Sequence, residues 1–167
     1  MLMKSKFYLH QHSGCCNSGQ SHCGGCCGKT SIPEISAESE ALLQQLAQTP
    51  FLPLGCFVLR SSRSEHLESV AFAPVYLTEK HEDMDAVRKS AKILEQLEEC
   101  GIITLDYDLP LENYDYGVFK ESAAFNTFKN TVEEGKRNPD FLFDKASIEF
   151  GSIALTVLGQ TALNVLL

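Results

Sequence analysis

Residues 10–31 read His-Gln-His-Ser-Gly-Cys-Cys-Asn-Ser-Gly-Gln-Ser-His-Cys-Gly-Gly-Cys-Cys-Gly-Lys-Thr-Ser and contain no aliphatic side chain. Such a stretch cannot bury enough apolar surface to offset the chain entropy lost on folding, so on its own it is expected to stay disordered. The feature divides the chain into a Cys/His-rich tail, residues 1–31, and an acidic globular domain, residues 32–167. Charge divides at the same place. Residues 1–31 hold Lys4, Lys6 and Lys29 and no acid, +3, and the remainder carries 11 − 22 = −11, which together make the −8 of the whole chain. A field this negative opposes phosphate, because nonspecific nucleic-acid affinity rests on Lys and Arg neutralising phosphates.

The tail has its own chemistry. Cys15, Cys16, Cys23, Cys26 and Cys27 lie close together, with His10, His12 and His22 nearby. Thiolates and imidazoles are the ligands that Zn²⁺, Cu(I) and iron–sulfur clusters prefer. Cys23 and Cys26 have the spacing of a zinc or cluster half-site, and the intervening Gly and Ser residues let a short chain wrap an ion. The adjacent pairs Cys15-Cys16 and Cys26-Cys27 suit Cu(I), As(III) or Hg(II), which tolerate short bites and low coordination. The candidate ligands are therefore Cys15, Cys16, Cys23, Cys26, Cys27 and His22, for a soft metal ion (Zn or Cu) or an iron–sulfur cluster. Free or redox-active thiols are the alternative. A disulfide framework fits less well, given the odd count of 7 Cys, the adjacent pairs and the lack of an apolar export signal after Met1. Cys56 and Cys100 stand in apolar surroundings and read as small core residues.

Two further patterns have simpler readings than a ligand site. Gly28-Lys29-Thr30 ends like a phosphate-binding loop, but the first glycine that motif needs falls on Cys23, and no apolar strand precedes it. Asp106, Asp108, Glu112 and Asp115 could hold a cation, yet a solvated acidic face is the simpler reading. His66 and His81 lie in polar segments and read as surface residues. No stretch approaches the roughly 20 apolar residues that span a bilayer, so the expectation is a cytoplasmic chain without a membrane partner.

Beyond Pro33, the pattern predicts an α+β domain. Ser36 is an N-cap for a helix whose stripe of Leu42, Leu43, Leu46 and Ala47 runs until Pro50. Residues 51–59 are an apolar run that periodicity alone leaves open between strand and buried helix. Residues 69–78 are β-prone, with Pro74 confining them to an edge strand or an irregular segment. A helix over 85–100 places Val87, Ala91, Leu94 and Leu97 or Glu98 at the 3–4 spacing of one stripe, with Gly101 as its stop. A strand over 102–108 follows, then a Tyr-rich acidic connection. A helix over 118–134 presents Phe125, Phe128 and Val132 and ends at Gly135. A strand spans 147–156, and Thr156 caps a short terminal helix.

The phrase Leu94-Glu-Gln-Leu-Glu-Glu-Cys-Gly-Ile-Ile103, with the later phrase Ile153-Ala-Leu-Thr-Val-Leu-Gly159, resembles the winged-helix domains of MarR- and PadR-type transcriptional regulators. The resemblance covers residues 85–108 and 147–163. It implies a winged-helix-like fold with a long helical insertion in the wing and a flexible Cys-rich N-terminal tail. Residues 86–100 would be the recognition helix, packed beside an antiparallel pair of wing strands. The resemblance also implies DNA as a partner, contacted by Arg88, Lys89 and Lys92, whose spacing puts them on one helix face. The apolar terminal helix, 157–167, would make a homodimer. The expected function is a metal- or redox-responsive regulator, not an enzyme. Its rival is a non-enzymatic metal-binding or protein-interaction module on the same scaffold.

Overall fold

The computed structural model describes residues 35–166, within one compact unit, Glu34–Leu167. The ligand candidates Cys15, Cys16, Cys23, Cys26, Cys27 and His22 lie outside the described residues.

The first helix, α1, spans Ala37–Gln48. The Ser36 hydroxyl accepts the Ser39 N–H at 3.1 Å, satisfying a donor that the first helical turn leaves orphaned. Leu42, Leu43 and Leu46 are buried as the stripe requires, whereas Ala47 faces outward. The apolar run becomes strand β1, Phe51–Arg60. Strand is the outcome that Val, Phe and the interior Pro53 and Gly55 favour over helix. Strand β2, Glu68–Val75, lies at the sheet edge. Pro74 sits inside it after a cis peptide bond. An edge strand accommodates a residue that lacks an N–H.

Helix α2, Met84–Glu99, is capped by the Asp83 carboxylate, which accepts the N–H groups of Asp85 and Ala86. It buries Val87, Ala91, Leu94 and Leu97, and each large one contributes on the order of 1.5–3 kcal/mol. Gly101 ends the helix at φ +71°, a left-handed exit that glycine takes without a Cβ penalty. Strand β3 is shorter than expected, Ile103–Asp106. The helix expected over 118–134 is two: α3, Gly117–Lys120, and α4, Ala123–Gly135. The break falls at fully buried Ser122, whose hydroxyl donates to the Phe119 carbonyl and accepts the Phe125 N–H at 3.0 Å. A serine that can cap competes with helix continuation. Strand β4, Lys145–Leu155, and helix α5, Val157–Leu166, complete the chain. Thr156 caps α5 as expected, accepting the Gly159 N–H at 3.0 Å.

All strand pairs are antiparallel, in the order β2-β1-β4-β3. The expected pairing of β3 with β4 is present, from Ile103↔Leu155 to Asp106↔Ser152, with α2 beside β3. However, β4 is a central strand whose other edge pairs with β1 along its whole length. The element before α2 is the strand β2. Helix α2 touches both β2 and β3, the two outer strands, so the sheet curls around it. Two buried clusters follow. One joins Leu43, Leu46, Leu54, Leu94, Ile103 and Ile153. The other is aromatic, around Phe57, Phe119 and Phe125, with Phe57 stacked on Phe128 at 5.2 Å. The fold is α+β, and no described helix is long and apolar enough to cross a membrane.

Candidate functional site

The outer surface of α2 carries the residues that spacing singled out. Arg88, Lys89 and Lys92 are all exposed and do share that surface. It is not a basic patch, however. Asp85, Glu95, Glu98 and Glu99 are exposed on the same helix, so three cations stand against four carboxylates. The Arg88 guanidinium already donates to Asp85 at 2.9 Å.

His81 is a surface residue beside Glu79, with 3.0 Å between Nδ1 and Oε2, and His66 is exposed. Cys56 is fully buried, as its apolar neighbours suggested. Cys100 is a correction: it is exposed at the C-cap of α2, because the stripe ends at Leu97 and the following turn leaves the core. Asp115 accepts the Gly117 N–H at 2.8 Å and so serves the turn into α3. Among the described residues, no three His, Cys, Asp or Glu side chains are grouped to hold a metal ion.

A different site emerges from packing. A groove of about 620 Å³ lies where α1 ends, β1 begins, β2 has ended and the 111–114 segment crosses. Its origin is in the strand register. Strand β2 joins β1 only from Gly55↔Val75 onward, whereas β4 pairs with β1 from Phe51. Residues 51–54 therefore have a strand neighbour on the β4 side alone. Pro53 sits in this stretch, where a missing N–H costs no ladder bond on the open side.

Phe51, Tyr76 and Tyr114 line the groove with Pro50, Leu111 and Glu112. Tyr76 is buried, and its hydroxyl donates to Gln45 Oε1 at 3.0 Å, tying the residue after β2 to α1. Burial raises the Tyr76 phenol above its ordinary value. The charges of Tyr114 and Glu82 add to this. Burial also raises Tyr114, helped by Asp115.

The far wall is held firmly. The Tyr116 hydroxyl accepts the Leu111 N–H and donates to the Gly151 carbonyl, both at 2.8 Å, anchoring the segment to β4. Tyr116 stacks on Phe150 at 4.3 Å, and the Tyr114 ring stands edge-on to Tyr116 at 4.9 Å. Asn113 adopts φ +59°, a turn conformation that asparagine tolerates better than most residues. A concave surface with a mostly apolar lining, a few polar groups and a fixed wall is what a ligand site requires.

Sequence reasoning missed this groove because Phe51, Tyr76 and Tyr114 come from three separate segments and form no motif. The one legible signal was the concentration of tyrosine and acid in the connection before α3.

No family model and no curated protein matches the chain. Among solved structures, it is similar to that of the uncharacterized protein from the hydrocarbon-degrading marine bacterium Alcanivorax borkumensis SK2. The two are 14% identical with a TM-score of 0.42, over 80% of this chain and 87% of that one.

Proposed function

We propose that this protein is a non-enzymatic binding module. Its α+β domain takes a ligand in the groove beside Tyr76, and its Cys/His-rich segment holds a soft metal ion or cluster. The observation that carries the first half is the groove itself. It is large enough for a small ligand and is lined by Phe51, Tyr76 and Tyr114. Its wall is pinned to the sheet through Tyr116. The second half rests on the clustered thiols at Cys15, Cys16, Cys23, Cys26 and Cys27. The test of the groove is nuclear magnetic resonance mapping of the full chain against a mixed set of small cationic, anionic and neutral fragments. Amide shifts concentrated at residues 49–54, 76–78 and 111–114 support the reading. Fragments that bind only elsewhere, or a groove silent to every class, overturn it.

A second reading is a metal- or redox-responsive DNA-binding regulator of winged-helix type. What favours it is the β3–β4 pair beside α2, with Arg88, Lys89 and Lys92 exposed together. In that reading the apolar face of α5, where Val157, Leu158 and Val165 are 82%, 56% and 71% exposed, joins two copies and doubles the patch. The balance of charge on α2 makes this the weaker reading. Duplex binding that falls steeply with added salt would restore it.

A further inference from the structure

The groove beside Tyr76 is biased toward positive charge. Glu112 lines it, and no Lys, Arg or His does so among the described residues. Thr49, the C-cap of α1, also lines it, and the last turn of α1 has no basic residue. The carbonyl end of a helix carries a partial negative charge, which a basic side chain would otherwise offset. A second carboxylate stands next to the lining: Glu82 accepts the N–H and the hydroxyl of Thr78, at 2.7 and 2.8 Å, and Thr78 lines the groove.

The apolar part of the lining has matching chemistry. Phe51 is 51% exposed and Tyr114 39%, so both rings remain available to a ligand, with Tyr76 buried at the same groove. An aromatic face attracts a cation through its quadrupole, and a nearby carboxylate adds to that attraction. A strand-forming peptide is a poorer fit, because Pro53 removes a donor from the open stretch of β1 and so blunts that edge. The volume, about 620 Å³, suits a compact molecule.

We propose that the groove binds a small organic cation, an alkylammonium or alkylguanidinium. Its charged head is held between Glu112 and the rings of Phe51 and Tyr114, and its alkyl body lies against Pro50 and Leu111. This rests on the reading of the groove as a ligand site and names the class of ligand that site selects.

The test uses the full chain and four probes with the same pentyl chain: pentylammonium, pentylguanidinium, pentanol and pentanoate. Binding is followed by amide shifts at residues 49–54, 76–78 and 111–114. The two cations are expected to bind at least about fivefold tighter than pentanol, with pentanoate weakest. Glu112→Gln and Tyr114→Ala should each weaken the cations about two- to fivefold, and Tyr114→Phe, which keeps the ring, should not. Both positions are exposed, and amide spectra without ligand will show that the variants keep the fold. Pentanol or pentanoate binding in the groove as tightly as the cations would overturn the cation assignment while leaving the groove as a ligand site. Cation binding indifferent to Glu112 and Tyr114 would also overturn it. Silence of all four probes would overturn the ligand site as well.

Discussion

Two residues show how closely the site depends on the sheet. A Cβ on Gly151 would run into the backbone carbonyl of Asp106 and lie 2.8 Å from Tyr107 Cα. The same glycine supplies the carbonyl that the Tyr116 hydroxyl binds. Gly151→Ala should therefore push β3 from β4 and disturb the groove wall at once. We expect a loss of about 1–3 kcal/mol in urea unfolding, together with shifted amides at 111–114. Tyr76 makes a prediction about pH. Its folded phenol ionises above the ordinary value of 10.0, mainly through burial. The unfolded chain thus gives up that proton first, and the stability involved is intact below pH 10 and lost as pH rises through the folded value. In alkaline titration, Tyr76→Phe should remove one late-ionising phenol from the absorbance change. Stability of the variant should fall less steeply above pH 10 than that of the wild type. Loss instead of a phenol that ionises at the ordinary value of 10.0 would mean that Tyr76 is solvated.

Elements with a strong period or a capping residue were legible from sequence. The stripe of Val87, Ala91, Leu94 and Leu97, closed by Gly101, located α2 to within a residue at either end. Ser36 and Thr156 marked the starts of α1 and α5 because a hydroxyl at that position satisfies an orphaned N–H. Ser122 was passed over because the stripe of Phe125, Phe128 and Val132 was extended back to 118 as one helix, and only its burial and its bond to the Phe125 N–H reveal the cap. Of the groove, only the tyrosine- and acid-rich connection before α3 was legible. The groove exists because β2 stops at Val75 while β1 continues back to Phe51, and a register of that kind is set by tertiary pairing. The basic triplet was legible in position, and so were the acids around it, since Asp85, Glu95, Glu98 and Glu99 stand in the same helical segment of the sequence and are exposed with it. We expect the full chain to show no specific duplex binding even at low salt, and the Arg88/Lys89/Lys92 triple-Ala variant to behave alike. Salt-sensitive wild-type binding that the triple variant loses would favour the regulator instead.

At the scale of the whole molecule, we propose that one chain combines two binding chemistries: soft thiolates in a segment whose sequence has no core, and an aromatic groove in a folded domain. Purified without oxygen, the protein should carry a soft metal in stoichiometric amount, and Cys23→Ser with Cys26→Ser should remove most of it. Zinc bound to small peptides contributes about 10–16 kcal/mol, so a true site would survive dialysis, and equal metal in wild type and variant would refute the assignment. The central claim is that the domain works through its groove and not through the outer face of α2 or the apolar face of α5. Amide hydrogen exchange over the full chain tests this most directly, measured alone, with pentylguanidinium and with a DNA duplex at low salt. The account predicts slowed exchange at residues 49–54, 76–78 and 111–114 with the cation, and no change along α2 with the duplex. Slowing along α2 with the duplex, and none around the groove with the cation, would contradict it.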